Sequence, residues 1–161
     1  MKKLRLYLDT SVISHLDQQD APERMAETRK LWEKIKAGEY EVVLSDVDFL
    51  EIGKCNDAKR NTLLDYLKEI EYTVVEVQGD EQAARIASRI IDLGILRQKS
   101  FDDCQHIAAA IMSGSDVIVS WNFRHMVNIR TIKGVRAVTA LEGYKDILIL
   151  DPFSLIGGET E

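Results

Sequence analysis

Acidic and hydroxyl side chains recur where short apolar segments of this 161-residue chain give way to candidate helices. Asp9 directly follows an apolar segment that ends at Leu8, and Glu51 lies shortly after Ser45, which ends a second one. Asp103 stands in the first turn of a further candidate helix. Carboxylates brought together repel one another unless a cation lies between them, and hard oxygen ligands suit Mg²⁺ or Mn²⁺. The chemistry that this pattern predicts is metal-assisted hydrolysis of a phosphodiester.

Each of these acids also fits an ordinary structural role. Asp9 precedes two hydroxyl residues and is equally well placed to cap a helix. Asp103 at a helix start complements the helix dipole, and Glu51 fits a solvated helix face. No residue is decisive alone, but their joint position at strand ends and helix starts favours a site.

Short strands and helices alternate along the whole chain. Strands are predicted over residues 3–9, 40–44, 72–77, 116–120 and 147–150 from their alternating or β-branched apolar residues. Helices are predicted after the capping residues Asp20, Ser45, Asn56 and Asp80, and over residues 104–112. This pattern favours an α/β fold with a mostly parallel central sheet that helices cover on both faces. Active sites of such sheets lie at the carboxyl ends of the strands, where the acids stand.

The carboxyl-terminal third is less regular. The segment after Asn122 predicts helical turns with a break at Gly134, and Asp151-Pro152 is expected to end the last strand. Without a repeat or a long linker, residues 1–156 are predicted to form one domain, followed by a frayed tail over 157–161.

Composition narrows the class of protein. Apolar residues make up 45% of the chain and charged residues 30%, which is typical of a soluble domain, and no apolar run is long enough to span a bilayer. Cys55 and Cys104 form no metal-ligand pattern, which favours free thiols in a cytoplasmic protein. The net charge of −6 argues against indiscriminate binding to nucleic acid. No glycine-rich phosphate-binding motif and no nucleophile elbow occurs.

One segment departs from this acidic average. Between Asp116 and Glu142 the chain has no acid but carries the basic residues Arg124, Arg130, Lys133 and Arg136. These residues are expected to form either a phosphate-binding strip or a solvated basic face. Trp121 and Phe123 in the same segment are candidates for stacking on unpaired bases, or for core packing.

The ordered set of motifs resembles the PIN-domain family and, within it, the VapC-like toxins. The resemblance rests on residues 7–13 (YLDTSVI), on Ser45 with Glu51, on residues 103–110 (DCQHIAAA) and on residues 120–122 (SWN). It implies a three-layer α/β/α fold, dependence on Mg²⁺ or Mn²⁺ and cleavage of single-stranded RNA. It also implies a cognate antitoxin, and members of the family commonly form homodimers.

The resemblance assigns expected roles to the residues that match. Asp9, Glu51 and Asp103 correspond to the core acidic residues that hold the metal, and Asn122 to the polar residue after the fourth strand. Glu51 is expected to bind the cation or to orient the attacking water, and Asn122 to contact that water or a phosphate oxygen. Thr10 and Ser11 are expected to offer hydroxyl or N–H groups to phosphate, or simply to cap a helix.

The chain departs from the family pattern at one point. Many members carry a fourth acid just past the fourth strand, whereas this chain has Asn122 and then His125. A second metal site is therefore expected to be weak until substrate phosphate supplies ligands. His106, near Asp103 on the same helix, is expected to be a structural histidine that bonds to a neighbour.

Three functions are compatible with these residues. The first is a metal-dependent ribonuclease that acts as a toxin, and the second is a PIN-like module that binds RNA or protein but cleaves little. The third is a Mg²⁺-dependent phosphohydrolase that acts on a small molecule. RNA cleavage that EDTA inhibits separates the first from the second, and activity on a small phosphoester alone favours the third.

Overall fold

The computed structural model describes residues 2–159, whose central sheet has five strands, each parallel to its neighbours. The strands are β1 (Leu4–Leu8), β2 (Tyr40–Ser45), β3 (Thr73–Val75), β4 (Val117–Val119) and β5 (Leu148–Leu150). Their order across the sheet is β3-β2-β1-β4-β5. The predicted α/β fold with a parallel sheet is confirmed.

Helices connect these strands, and several begin at the capping residues that the sequence indicates. The helices are α1 (Thr10–Ser14), α2 (Pro22–Lys36), α3 (Asp46–Gly53), α4 (Asp57–Leu67), α5 (Glu81–Asp92), α6 (Phe101–Met112), α7 (Ile129–Glu142) and α8 (Pro152–Glu159), with 3₁₀ turns at His15–Asp17 and Gln98–Ser100. Asn56 accepts a hydrogen bond from the N–H of Lys59, and Asp80 accepts one from the N–H of Ala83. These side chains satisfy N–H groups that the first turn of a helix leaves free.

The sheet separates two apolar cores, which makes the fold a three-layer α/β/α arrangement. Tyr7 of β1 packs into one core with residues of α5, α6 and α7. Leu6 and Leu8 of the same strand pack into the other core with residues of α1, α2, α4 and α8. Successive side chains of a strand point to opposite faces, so the alternation in β1 assigns residues to two buried faces.

The strand order reverses between β1 and β4. From β1 the chain adds β2 and β3 on one side, and it then returns to add β4 and β5 on the other side. Leu8 pairs with Val119 in the sheet, so the residues that follow, Asp9 and Ser120, emerge together at the carboxyl edge. Such a reversal opens a crevice at that edge, where ligands of open α/β sheets bind.

The predicted break at Gly134 is wrong, because α7 runs through this residue without interruption. A Cβ atom at Gly134 would lie 2.5 Å from Cγ1 of Ile95, and glycine therefore permits close packing against that side chain. The start of α2 also differs from the prediction. Its cap position is Ala21 rather than Asp20, although Pro22 does occupy the first turn.

A helix follows the last strand, where the sequence indicates only an end. Asp151 accepts hydrogen bonds from the N–H of Phe153 and the hydroxyl of Ser154, and Pro152 takes the first helical position. Helix α8 extends through Glu159 into the segment expected to be a frayed tail, while residues 160 and 161 lie outside the described residues. Across residues 2–159 no helix is long and apolar enough to cross a membrane.

Candidate active site

Asp9 is a buried carboxylate at the carboxyl end of the central strand β1. Its Oδ1 accepts a hydrogen bond of 2.5 Å from the Ser11 hydroxyl, and its Oδ2 accepts one of 2.5 Å from the Ser120 hydroxyl. Burial raises the pKa of Asp9, and the charge of His106 and the two serine hydroxyls oppose that rise. Because Ser120 follows β4, the carboxylate is fixed from both strands that border the crevice.

Glu51 reaches the same edge from helix α3. Its Oε1 accepts a hydrogen bond of 2.8 Å from the Thr10 hydroxyl and lies 2.5 Å from Nε2 of His106. Burial alone raises the pKa of Glu51, but the hydrogen bond and charge of His106, the Thr10 hydroxyl and the charge of Lys54 together outweigh it, so that the pKa lies below its ordinary value. Glu51 is therefore ionised at neutral pH and held by two neighbours.

Asp48 and His106 form a buried pair behind Glu51. Nδ1 of His106 lies 3.8 Å from Oδ1 of Asp48, whose Oδ2 accepts the N–H of Ser45 at 3.0 Å. Burial opposes the charged form of His106, but the bond to Glu51 and the charges of Asp48, Asp9 and Glu51 together outweigh it and raise its pKa to about 9. Burial raises the pKa of Asp48 to about 7, against the opposing charge of His106. His106 is thus protonated at neutral pH, and its positive charge lies beside the carboxylates of Asp48 and Glu51.

Tyr7 completes this network from the middle of the sheet. Its hydroxyl lies 2.6 Å from Nδ1 of His106 and 2.7 Å from Oγ of Ser45. A protonated His106 donates from both nitrogens, so Tyr7 accepts from Nδ1 and donates its own proton to Ser45. The network joins β1, β2, α3 and α6 and orients Glu51.

Asp103 lies in the first turn of α6, the helix that also carries His106. Its Oδ2 is 2.9 Å from Nδ1 of His125. Burial raises the pKa of Asp103, the bond to His125 lowers it, and the nearby charge of Glu51 raises it further. Asp103 and Glu51 are therefore close enough for their charges to interact.

Asn122 orders the turn that carries His125. Its Oδ1 accepts the N–H of His125 at 3.0 Å, and its own N–H donates to Oγ of Ser120 at 2.9 Å. The amide oxygen is therefore engaged in a turn, and the side chain that reaches Asp103 is that of His125.

The donor atoms of this edge suit an open, hydrated Mg²⁺ or Mn²⁺ ion. Within residues 2–159, no three His, Cys, Asp or Glu side chains converge as a preformed metal cage. Mg²⁺ usually keeps several waters and is held by one or two carboxylates together with substrate phosphates. Oδ1 of Asp103 and Oε2 of Glu51 have no hydrogen-bond partner in the described part of the chain, so each keeps a free oxygen. Metal binding by Asp9, Glu51 and Asp103 stays a prediction.

A solved structure shares this architecture over nearly the whole chain. It is the crystal structure of VapBC2 from Rickettsia felis bound to a DNA fragment from their promoter. The match has a TM-score of 0.56 at 10% sequence identity, and it covers 92% of this chain and 98% of that chain. The fold is PIN-like. No family model and no curated protein matches the sequence.

The basic residues predicted on this PIN-like fold do not form a continuous free strip. Arg130 donates to the carbonyl of Gly94 at 2.6 Å, and Arg136 forms an ion pair of 2.9 Å with Asp146. Arg124 is exposed in the turn before α7 and has no ion-pair partner among residues 2–159. Arg124 is thus better placed than Arg130 to meet a phosphate.

The hydroxyl residues after β1 have a more defined role than the sequence indicates. Ser11 donates to Asp9, and Thr10 donates to Glu51 and to Asp48. Both hydroxyls therefore orient carboxylates in this structure.

A concave surface of about 750 Å³ lies at the opposite, amino-terminal edge of the sheet. Two ion pairs lie within it, since Arg5 contacts Glu41 at 3.0 Å and Lys36 contacts Glu69 at 3.6 Å. The concavity contains none of the clustered acids, so the crevice beside Asp9 is the better candidate for chemistry.

Sequence reasoning missed Asp48. Its spacing of three from Ser45 is the spacing at which an acidic residue caps the start of a helix, and that pattern could have identified it. The pairing with His106 has no such local pattern, because it depends on the approach of α6 to α3.

Proposed function

We propose that this chain is a Mg²⁺- or Mn²⁺-dependent endoribonuclease that cleaves single-stranded RNA. The observation that carries the proposal is the buried carboxylate of Asp9 at the strand-order reversal, with Glu51 and Asp103 grouped at the same edge. Burial raises the pKa of both Asp9 and Asp103, so these groups lack solvation that a bound cation would replace.

Each residue of the acidic cluster has a separate proposed role in this reaction. Asp9 and Asp103 are the proposed metal ligands, and the hydroxyls of Ser11 and Ser120 fix the Asp9 carboxylate. When bound, the metal lowers the pKa of a water and stabilises charge on the phosphate. The pKa of Glu51 is lowered, which makes its carboxylate a weak base. In the proposed reaction Glu51 therefore orients the attacking water by a hydrogen bond and does not act as the general base that deprotonates it.

We further propose that the chain acts as the toxin of a toxin–antitoxin pair. The similarity of its fold to a chain of VapBC2 over 92% of its length supports this role, together with the resemblance to VapC-like toxins. A protein antitoxin that covers the carboxyl edge of the sheet would then block the crevice. Co-purification of the chain with the product of a small neighbouring reading frame tests this part of the proposal.

A second candidate is a PIN-like module that binds RNA or protein without cleaving. The pairing of Glu51 with His106 favours it, because this imidazole already supplies a cation to the acids. His125 stands beside Asp103 where a further acid would strengthen metal binding.

A cleavage assay separates these functions. Purified protein is incubated with a mixed pool of single-stranded and hairpin RNAs in Mn²⁺, in Mg²⁺ and in EDTA, with Asp9→Asn as the inactive control. The proposal predicts metal-dependent cleavage within unpaired segments, and none in EDTA or by Asp9→Asn. Intact RNA under all conditions favours the binding module, and hydrolysis of an aryl phosphate alone indicates a small-molecule phosphohydrolase.

A further inference from the structure

An exposed aromatic ring and an arginine lie together beside the crevice. Phe123 follows β4, and 42% of its surface remains exposed. The guanidinium carbon of Arg24 lies 5.2 Å from the centre of the Phe123 ring and 5.4 Å from that of Trp121. Trp121 itself is buried, so of the two aromatic residues proposed to stack on bases, only Phe123 offers ring surface to a ligand.

Hydrogen bonds connect the segment that carries Phe123 to Asp9 and to the helix that carries Arg24. The indole N–H of Trp121 donates to Oγ1 of Thr28 at 2.8 Å, which holds the segment against the helix that carries Arg24. The backbone N–H of Trp121 donates to Oγ of Ser11 at 2.9 Å, and Ser11 donates in turn to Asp9. The backbone two residues before Phe123 is therefore tied to the residue that orients the Asp9 carboxylate.

The guanidinium of Arg24 is exposed. Among the described residues, no carboxylate forms an ion pair with its guanidinium, although the chain as a whole carries a net charge of −6. Lys59, whose ammonium group donates to Gln18, is close enough to His15 for its charge to act on that imidazole. The pKa of His15, which packs on Trp121, is lowered by burial and then by the charges of Arg24 and Lys59. Arg24 and Lys59 thus both place positive charge near His15, and the Arg24 guanidinium also lies over the Phe123 ring.

We propose that Phe123 and Arg24 form a subsite that binds one unpaired nucleobase and its phosphate. The base stacks on the open surface of the Phe123 ring, and the Arg24 guanidinium pairs with the adjoining phosphate. The inference rests on the proposed function in one respect, since a strand held here leads past Ser11 to Asp9. An exposed ring next to an unneutralised guanidinium suits single strands, because the faces of paired bases are already stacked within a duplex.

Binding without metal tests the subsite apart from cleavage. The affinity of short, fluorescein-labelled single-stranded RNA is measured by anisotropy in EDTA for wild type, Phe123→Leu, Arg24→Gln and Arg24→Lys. Phe123→Leu is expected to weaken binding about tenfold, because base stacking on an aromatic ring is lost. Arg24→Gln is expected to reduce the slope of log affinity against log salt by about 0.7, whereas Arg24→Lys retains the slope.

Phe153 provides a matched control. It is 46% exposed and packs on Trp121 at 5.3 Å, yet in residues 2–159 no arginine lies over its ring. Phe153→Leu is therefore expected to bind RNA as wild type does. A 2-aminopurine base in the RNA reports stacking directly, and its fluorescence is expected to be quenched by wild type and Phe153→Leu but not by Phe123→Leu.

The outcomes separate this inference from the proposed function. Wild-type affinity and salt slope in both Phe123→Leu and Arg24→Gln would overturn the subsite, as would the absence of any binding of single strands by wild type. Equal loss in Phe153→Leu would also overturn it, since the effect would then belong to the general aromatic surface. If the subsite variants behave as expected but no RNA is cleaved with Mn²⁺, the subsite stands and the nuclease proposal falls.

Discussion

Nε2 of His106 lies 2.5 Å from Oε1 of Glu51, and this pair ties helix α6 to helix α3 beneath the candidate active site. The other ring nitrogen contacts Tyr7, so both nitrogens of the imidazole are engaged. Asp48 and Asp9 add negative charge around it. The protein therefore balances part of its acidic cluster with a buried imidazolium, which links its stability to pH.

The melting temperature is predicted to fall as the pH rises from about 6.5 to about 9. The pKa of His106 is raised from 6.5 to about 9 in the folded protein, so its contribution is complete below 6.5 and is lost as the pH approaches 9. The pKa of Asp48 is raised from 3.8 to about 7, so its ionisation also lowers the stability of the folded protein as the pH rises between these two values. His106→Gln is predicted to lower the free energy of unfolding by on the order of 2 kcal/mol at pH 6.5. It is also predicted to remove most of the fall in melting temperature between pH 6.5 and about 9.

Thermal denaturation of both proteins across this pH range checks the prediction. His15→Gln is the matched control, because the pKa of His15 is lowered by burial and does not produce a loss of stability at high pH. If the melting temperature of His106→Gln still falls with pH as steeply as that of wild type, another group causes the fall.

His125→Asp is predicted to tighten the binding of Mn²⁺. The side chain at position 125 reaches Asp103 at 2.9 Å, and a carboxylate there would replace an imidazole with a further hard ligand. Asn122→Asp is predicted to have a smaller effect, since the oxygen at that position accepts the N–H of His125. Thermal shift across a Mn²⁺ titration measures both, because a ligand of the native state stabilises it in proportion to its affinity. If both variants show the same Mn²⁺-dependent shift in melting temperature as wild type, neither position 122 nor position 125 lies at the metal site.

Gly134→Ala is predicted to destabilise the protein by about 1–2 kcal/mol. The new methyl group would overlap Ile95, and this overpacking outweighs the gain of about 1 kcal/mol in helix propensity. Gly53→Ala in helix α3 is the control, since nothing lies within 4 Å of its added Cβ. Urea denaturation measures the change, and the cost is expected to vanish in an Ile95→Ala background. A persistent cost there would trace the effect to something other than Ile95.

Much of this fold was predictable because it depends on local patterns. Asp9 directly follows its strand, and Glu51 and Asp103 lie on their helices as predicted, since capping residues and apolar periodicity define those elements. The common edge follows from the parallel sheet, whose carboxyl ends all face one way. Helix α8 was not predicted although its signal is local, because Asp151 before Pro152 is a pattern that starts a helix.

The features that were not predictable depend on contacts between distant segments. His106 contacts Glu51 only because α6 packs against α3, and no spacing along the chain encodes that approach. The glycine at position 134 is a helix breaker in the local pattern, whereas in the structure it makes room for Ile95. The position of Arg24 over Trp121 and Phe123 also depends on the packing of residues that lie far apart in the sequence.

Arg124→Gln is predicted to reduce the salt dependence of RNA binding, whereas Arg136→Gln is not. Arg124 is exposed without an ion-pair partner in the described residues, and Arg136 is neutralised by Asp146. Each phosphate contact with a single strand contributes about 0.7 to the salt slope. Anisotropy titrations at several salt concentrations measure the slopes, and equal slopes for Arg124→Gln and wild type would assign Arg124 to ordinary surface.

The most direct measurement compares two neighbouring carboxylates on helix α6. Asp103 is partly buried and interacts with Glu51, whereas Asp102 beside it is exposed. The rate of Mn²⁺-dependent RNA cleavage is measured for Asp103→Asn and Asp102→Asn, with circular dichroism to show that both fold. The metal-site account predicts a loss of at least about 100-fold in Asp103→Asn and a wild-type rate in Asp102→Asn. A wild-type rate in Asp103→Asn would contradict it, because cleavage would then not depend on the carboxylate cluster.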